Sequence, residues 1–226
     1  ALPPIISVLW GEVPEEVECE MNSLRWGARL AAGQKTGVFL DQRENYRAAQ
    51  RFAHPPALDC FTYAGGFALH LSATGGSVEA VDSSLEALEA GRRNARRNNL
   101  TGVEFRQADV FDLLAQYNQA RRKFGTVVLD PPAFAKSRTQ LAGAVRGYKE
   151  INLRALRLLE RDGVLVTCSC SHHLSEAELL QVVAEAALDA GRPLRVLERR
   201  TQALDHPILL TVPETHYLKC LILQVV

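Results

Sequence analysis

The chain has 226 residues, of which 47% are hydrophobic and 23% are charged. This composition is that of a globular protein and excludes a disordered, collagenous or coiled-coil chain. Basic and acidic residues both number 26, so the net charge is zero and nucleic-acid binding requires local basic clusters. An odd count of five cysteines favours reduced thiols in a cytoplasmic protein, and we expect no targeting or membrane-spanning segment.

The first predicted element is a β-hairpin. Residues 17–21 and 24–30 alternate apolar and polar side chains on either side of the turn-forming pair Asn22-Ser23. The pair Pro55-Pro56 then interrupts the chain, because proline lacks the backbone donor that a strand or helix interior needs. We therefore expect a small hairpin region over residues 1–56.

After this break, short apolar runs alternate with helical patterns. Strands are predicted at residues 57–60, 77–81, 103–107, 126–129 and 164–167, and helices at 67–73, 84–98, 110–117, 148–160 and 175–190. This alternation predicts an α/β domain over residues 57–226, with a mainly parallel sheet and helices on both of its faces. Ligands of such sheets bind beyond the carboxyl ends of the strands.

The loop after the first of these strands carries two adjacent glycines. Gly65 and Gly66 let the backbone approach a ligand closely, and the following helix offers free N–H groups. The next strand ends in Asp82, whose carboxylate suits ribose hydroxyls, while Ser83 is available for the alternative role of helix cap. The dinucleotide pattern Gly-x-Gly-x-x-Gly is absent, so another nucleoside-bearing cofactor is favoured over a nicotinamide.

Acidic residues follow four successive predicted strands. They are Asp59, Asp82, Asp109 and Asp130. Their convergence on one sheet edge resembles the layout of class I methyltransferases, whose cofactor is S-adenosylmethionine. The run Asp130-Pro-Pro-Ala-Phe134 is typical of enzymes that act on planar nucleobases, and on its own it favours amine methylation.

The fifth predicted strand adds thiols to the same edge, at Cys168 and Cys170. Most buried cysteines are inert, but a thiolate at this position suits attack on C6 of a pyrimidine. That attack makes C5 nucleophilic, which carbon methylation of cytosine requires and amine methylation does not. The run Cys-x-Cys-x-His-His does not match zinc-site spacings, so no metal is expected.

Together these stretches resemble the bacterial large-subunit (23S) rRNA cytosine-C5 methyltransferases, a family that normally carries an N-terminal PUA domain. The resemblance is carried by residues 35–43, 60–67, 81–84, 130–134, 146–152, 169–171, 205–207 and 217–219. It implies a Rossmann-like sheet of seven strands, S-adenosylmethionine as cofactor and large-subunit rRNA as partner. The residues before the main domain match the family's linking hairpin, so we expect no PUA domain in this sequence. Either the sequence is a truncated chain or the protein is naturally short.

The resemblance also implies roles for individual residues. The predicted cofactor-binding residues are Gln42, Arg43, Asp59, Phe61, Tyr63, Gly65, Gly66, Asp82, Asp109 and Asp130. Cys170 is implied as the nucleophile and Asp130 as the residue that faces the flipped cytosine. Geometry leaves Cys168 open, because positions two apart in a strand share a face. The base that removes the C5 proton is unassigned, and a homodimer is left open.

A basic cluster follows the fourth predicted strand without an intervening acid, in a segment that suits phosphates beside an extruded base. The predicted RNA-contacting residues are Pro131, Pro132, Phe134, Lys136, Arg138, Arg146 and Lys149. Two further basic clusters lie at residues 92–97 and 121–123. For the cluster at residues 92–97, a solvated helix face explains the basic residues as well as RNA contact does.

The sequence therefore predicts an enzyme that forms 5-methylcytosine in large-subunit rRNA through a covalent Cys170–C6 adduct. One alternative is an RNA N-methyltransferase without covalent catalysis, which gives Cys170 no role. A second alternative is a non-catalytic RNA-binding or ribosome-assembly module, which would not need to retain cofactor binding.

Overall fold

The computed structural model describes residues 7–8, 10–29, 37–134 and 137–226, with the side chain of residue 138 outside this description. The predicted hairpin is formed by strands β1 (Val17–Met21) and β2 (Leu24–Ala28), which pair in antiparallel fashion. Asn22 and Ser23 adopt φ angles of 53° and 64°, the left-handed values of a tight two-residue hairpin turn.

The remaining helices and strands alternate along the chain. They are α1 (Arg43–Phe52), β3 (Ala57–Cys60), α2 (Gly66–Ser72), β4 (Val78–Asp82), α3 (Leu85–Arg97), β5 (Val103–Gln107), α4 (Val110–Gln119), β6 (Phe124–Leu129), α5 (Leu141–Leu158), β7 (Leu159–Ser169), α6 (Glu176–Ala190), β8 (Leu194–Arg200) and β9 (Lys219–Val225). Short 3-10 turns span Leu40–Gln42, Arg138–Gln140 and Pro213–Thr215. Among the described residues, none of the helices combines the length and apolar character needed to cross a membrane.

Strands β3 to β9 form one seven-stranded sheet in the order β5-β4-β3-β6-β7-β9-β8. All neighbours are parallel except at β9, which pairs antiparallel with both β7 and β8. The predicted mainly parallel sheet is thus confirmed. The chain moves outward from β3 through β4 to β5, and then continues at β6 on the other side of β3. This reversal creates a crevice at the carboxyl ends of β3 and β6, where open α/β sheets bind ligands.

Two hydrophobic clusters cover the two faces of the sheet. Successive residues of one strand alternate between them, since Val127 and Leu129 pack in the first cluster and Val128 in the second. Helices α4, α5 and α6 contribute to the first cluster, and α1, α2 and α3 contribute to the second. The sheet is therefore buried on both faces, as its apolar strands predict.

The hairpin packs against helix α3. Gly27 N donates a hydrogen bond to Asn94 Oδ1 at 2.9 Å. Arg93 lies 3.7 Å from Glu16, and Arg97 also forms an ion pair with Glu16. Two arginines of the cluster at residues 92–97 therefore bind the hairpin, which favours a structural role for that cluster over RNA contact.

Helix α3 differs from the prediction at its first turn. Its N-cap is Ser84, whose hydroxyl accepts a hydrogen bond from Ala87 N, and Ser83 does not serve as the cap. Helix α5 begins seven residues before its predicted start. Gly143 and Gly147 lower the helix propensity of its first half, so the sequence pattern did not indicate a helix there.

Candidate active site

A cavity of about 800 Å³ lies at the crevice between the two halves of the sheet. Its walls come from the segments that follow β3, β4, β6 and β7, and from the N-terminal region. The site residues predicted from the sequence that line it are Gln42, Phe61, Tyr63, Gly66, Asp82, Asp130, Pro131, Pro132 and Cys170. Met21, Trp26 and Tyr46 also line it, so the hairpin and α1 complete the cavity.

The loop between β3 and α2 is a tight, left-handed turn. Phe61, Tyr63 and Gly65 have φ angles of 63°, 49° and 91°. Gly66 is required for a different reason, since a Cβ atom there would lie 2.5 Å from Tyr46 Cζ. The loop thus presents its backbone and the rings of Phe61 and Tyr63 to the cavity.

Asp82 anchors this loop while lining the cavity. Its Oδ2 accepts a hydrogen bond from Tyr63 N at 2.9 Å, and its Oδ1 accepts one from Ser84 N at 2.9 Å. Each carboxylate oxygen has a second lone pair for a further donor. Asp82 can therefore position the loop and still accept hydrogen bonds from a ligand.

Asp59 lies beneath the loop and does not line the cavity. It is fully buried, and its Oδ2 accepts hydrogen bonds from Thr62 Oγ1 at 2.5 Å and Ala68 N at 2.9 Å. Its Oδ1 has no hydrogen-bond partner among the described residues. Burial raises the pKa of Asp59 to about 7, although the hydrogen bonds from Thr62 and Ala68 oppose that rise. Asp59 therefore stabilises the loop from beneath, through its hydrogen bonds to Thr62 in the loop and to Ala68 in the first turn of α2.

Replacing Asp59 with asparagine is expected to stabilise the protein increasingly as the pH rises. The folded-state pKa of about 7 exceeds the ordinary value of 3.8. Stability from the protonated carboxyl is therefore fully present below pH 3.8 and is lost as the pH rises through 7. Relative to the parent, Asp59→Asn should gain about 2 kcal/mol in unfolding free energy between pH 5 and pH 8, measured by urea denaturation. Asp109→Asn, at an exposed strand-end acid, is the control, and parallel pH profiles for the parent and Asp59→Asn would contradict the expectation.

Asp130 is held in the cavity by a buried glutamine. Gln42 Nε2 donates to Asp130 Oδ2 at 3.0 Å, and Gln42 Oε1 accepts from Asn45 Nδ2 at 2.7 Å. Because Gln42 and Asn45 are both buried, this chain fixes the carboxylate orientation. Gln42 therefore contacts both the cavity and Asp130.

Besides Asp59 and Gly65, two further residues predicted to bind the cofactor, Arg43 and Asp109, lie outside the cavity lining. Arg43 forms a surface ion pair with Asp205, with 2.9 Å between Nη1 and Oδ2. Asp109 is exposed and caps helix α4, where its Oδ1 accepts a hydrogen bond from Asp112 N at 3.1 Å. A strand-end acid can thus serve a helix terminus instead of a ligand.

The two cysteines at the end of β7 have different surroundings. Cys168 is fully buried opposite Cys220 on β9, and burial raises its pKa well above the ordinary value. Cys170 is half-buried, follows the last residue of β7 and lines the cavity. Of the two thiols, Cys170 is the one that faces the space shared with Asp130.

The residues that follow β6 separate into two groups. Pro131 and Pro132 line the cavity, whereas Phe134 does not. Phe134 packs against Tyr148 with ring centroids 4.7 Å apart, and Tyr148 Oη accepts a hydrogen bond from Ser169 Oγ at 2.9 Å. Phe134 thus joins the β6 loop to the end of β7.

The predicted basic segment is only partly described. Lys136 and the side chain of Arg138 lie outside the described residues. Arg146 is exposed and makes no ion pair within the described part of the chain. Lys149 Nζ lies 3.0 Å and 3.4 Å from two carboxylates of α6, so its charge is largely neutralised.

Two residues near Cys170 received no role from the sequence. Tyr217 Oη donates to Asp41 Oδ2 at 2.8 Å, and Lys219 at the start of β9 is 2% exposed. Residues 217–219 are one of the stretches that carried the family resemblance. The roles of Tyr217 and Lys219 depend on contacts with Asp41 and Ser171, which lie far away in the chain. No local pattern indicated those contacts.

The crevice, the glycine-containing turn after β3 and the acid at the end of β4 define a class I methyltransferase fold. The model of the S-adenosylmethionine-dependent methyltransferase family matches residues 5–222, and the chain belongs to this family. The cavity has the volume of a typical small-ligand site, and its Asp82 carboxylate and Phe61 ring suit the ribose and the apolar parts of this cofactor.

Curated relatives include the ribosomal RNA large subunit methyltransferase I of Tolumonas auensis, 45% identical over 97% of this chain and 57% of that protein. The protein of the same name from Shewanella frigidimarina is 45% identical over 99% of this chain and 58% of its own length. The chain thus spans less than three fifths of these relatives.

Solved structures support the fold. An S-adenosylmethionine-dependent methyltransferase from Streptococcus mutans superposes with a TM-score of 0.84 at 20% identity, covering 96% of this chain and 57% of that one. A Pyrococcus abyssi tRNA (uracil-54, C5)-methyltransferase in complex with S-adenosyl-L-homocysteine gives 0.58 at 19% identity, covering 96% and 45%.

Proposed function

We propose that this methyltransferase forms 5-methylcytosine in large-subunit rRNA, with Cys170 as a covalent nucleophile. The observation that carries the proposal is that Cys170 lines the same cavity as Asp82 and Asp130. A thiol there can meet a base and a methyl donor held in one space. The rRNA substrate is supported by the Tolumonas and Shewanella relatives, which are named as ribosomal RNA large subunit methyltransferases.

The chemistry explains why a thiol is needed. Cytosine C5 is too electron-poor to accept a methyl group directly. Addition of the Cys170 thiolate to C6 forms an S–C6 bond and moves electron density onto C5, which then bonds to the methyl carbon. When bound, the cofactor would supply that methyl group, and the sulfur that carried it would keep the electrons of the broken S–C bond. A base removes the C5 proton, the electrons of that C–H bond restore the C5–C6 double bond, and the S–C6 bond breaks to return the thiolate.

Asp130 is proposed to orient the extruded base. Gln42 already donates to its Oδ2, so the carboxylate is fixed before RNA binds. A carboxylate accepts hydrogen bonds, which suits the exocyclic amine of cytosine. The Pro131 and Pro132 rings restrict the backbone beside it, which keeps this acceptor in place.

The cofactor is proposed to bind on the other side of the same cavity. Asp82 accepts from the ribose hydroxyls, and Phe61, Tyr63 and Gly66 form the adjoining wall. Gln42 reaches both halves of the cavity. Asp59 and Gly65 shape the loop from beneath, and we assign no direct cofactor contact to Arg43 or Asp109.

Within the predicted basic segment, Arg146 is the described residue best suited to bind a phosphate, because it is exposed and makes no ion pair with a described carboxylate. Arg146→Ala should reduce the slope of log affinity against log salt for RNA by about one unit, since one counterion fewer is released. Lys149→Ala is the matched control on the same helix, and two α6 carboxylates already neutralise its charge. Filter-binding titrations at several salt concentrations measure both slopes. An unchanged slope in Arg146→Ala, or an equal change in both variants, would refute this assignment.

The proposed function is tested by identifying the methylated nucleoside. The protein is incubated with unmodified large-subunit rRNA and S-adenosylmethionine carrying a labelled methyl group, and the RNA is digested for mass spectrometry. Labelled 5-methylcytidine is the expected product. A label on a ring or exocyclic nitrogen would instead establish the amine-methylating alternative, and cofactor binding without any transfer would contradict the enzymatic proposal.

A further inference from the structure

A buried lysine lies beside the proposed nucleophile. Lys219 is the first residue of β9 and pairs across the sheet with Ser169, the last residue of β7. Its side chain is nearly inaccessible, yet its Nζ donates to Ser171 O at 2.6 Å and to Tyr217 O at 2.9 Å. Since Ser171 directly follows Cys170, the ammonium holds the backbone immediately after the residue that carries the thiol.

The charge of Lys219 is not neutralised by a contacting acid. Within the described part of the chain, no carboxylate lies within 4.0 Å of its Nζ, and its two hydrogen-bond partners are neutral carbonyls. The acids of the nearby α6 terminus are engaged elsewhere. Glu178 accepts from Ser175 in a capping box, and Glu176 pairs with Arg199. A buried ammonium normally pairs with an anion, so this lysine has unused capacity to stabilise one.

We infer that Lys219 is a positioning residue for the methyl-transfer reaction: its ammonium fixes the backbone after Cys170 and favours the Cys170 thiolate. This inference rests on the proposed function, because it assumes that the thiolate is the reacting species. It explains why a lysine begins a buried strand in which apolar residues otherwise dominate.

Among the described residues, the other titratable groups around Cys170 do not supply this charge. Asp130 carries a carboxyl group, whose negative charge would oppose thiolate formation because like charges repel. Burial raises the pKa of Tyr148 and of Tyr217, so both hydroxyls stay neutral at pH 7. The exposed His172 ring lies 5.7 Å from the ring of Tyr217.

Lys219 itself is charged at neutral pH. Burial lowers its pKa to about 8, and attraction to Cys170, Glu178 and Glu176 opposes that fall. The ammonium is therefore the main form at pH 7, and it is lost as the pH rises through 8.

The test measures the pH dependence of Cys170 alkylation by iodoacetamide, with modified peptides quantified by mass spectrometry. A Cys19→Ser background removes an exposed thiol, and the other three cysteines are buried. In this background, the midpoint for Cys170 should lie below the ordinary thiol value of about 8.5. Lys219→Met should raise it by about one pH unit and slow alkylation at pH 7 about tenfold, whereas Lys219→Arg, which retains the charge, should stay near the parent.

Two results would overturn the inference. One is a Lys219→Met midpoint equal to that of the parent. The other is a parent midpoint at the ordinary thiol value, which decides the matter even when Lys219→Met does not fold. Neither result depends on methyl transfer, so the two proposals can be contradicted separately. Methyl transfer by the Cys170→Ala variant would contradict the proposed function, and an unshifted alkylation midpoint would contradict the role of Lys219.

Discussion

The Cys170→Ala variant is expected to transfer no detectable methyl group to rRNA while binding S-adenosylmethionine with nearly the parent affinity. The thiol forms and breaks the bond to C6, so its loss removes the reaction pathway and leaves the cofactor wall formed by Asp82 and Phe61 in place. Transfer of labelled methyl groups measures the first quantity, and isothermal titration calorimetry measures the second.

RNA that contains 5-fluorocytosine separates the two candidate thiols. Fluorine cannot leave as a proton does, so the parent enzyme should remain covalently bound to such RNA, which denaturing gels detect. Cys168→Ala is the matched control, because Cys168 is fully buried and its pKa is raised by that burial. An adduct that persists in Cys170→Ala and disappears in Cys168→Ala would show that Cys168 is the nucleophile. Full methylation by both variants would favour the amine-methylating alternative.

Asp82→Ala should weaken S-adenosylmethionine binding roughly tenfold or more. The substitution removes the proposed acceptor for the ribose hydroxyls, and an unpaired polar group costs on the order of 1 to 3 kcal/mol. It also frees Tyr63 N and Ser84 N, which the carboxylate holds at 2.9 Å. Both effects act on the cofactor side of the cavity, and calorimetry measures their sum.

Asp109→Ala is the matched control for this prediction. Asp109 also follows a strand, but it is exposed, caps α4 and does not line the cavity. Its replacement should therefore lower the stability of α4 and leave cofactor affinity nearly unchanged. An unchanged affinity in Asp82→Ala would remove Asp82 from the cofactor site, and an equal loss in Asp109→Ala would restore the cofactor role predicted from the sequence.

The sequence predicted the first strands of the sheet better than the last two. β3 and β5 occur at their predicted residues, because Pro56 and Gly102 directly precede them and mark where each strand begins. The sequence did not predict β8, because four of its seven residues are charged. An edge strand does not need a continuous apolar run.

The site shows a similar division. Successive strand-end acids indicated the edge of the sheet at which the cavity lies, because parallel strands bring their carboxyl ends together. Their individual roles depended on neighbours that the local sequence does not specify: Asp82 faces the cavity, whereas Asp59 is covered by Thr62 and Ala68. Lys149 belonged to an apparently acid-free segment, yet its carboxylate partners lie on α6, more than thirty residues later.

The position of β9 in the sheet has a consequence for biosynthesis. β9 follows all other described strands in the chain but inserts between β7 and β8, and β8 has no other strand partner. Because translation proceeds toward the carboxyl terminus, β8 emerges from the ribosome before β9, the strand that pairs with it. Lys219 arrives with β9, so the segment after Cys170 gains its ammonium contact only at that stage. We therefore expect the surroundings of the Cys170 thiol to be completed only after β9 has emerged.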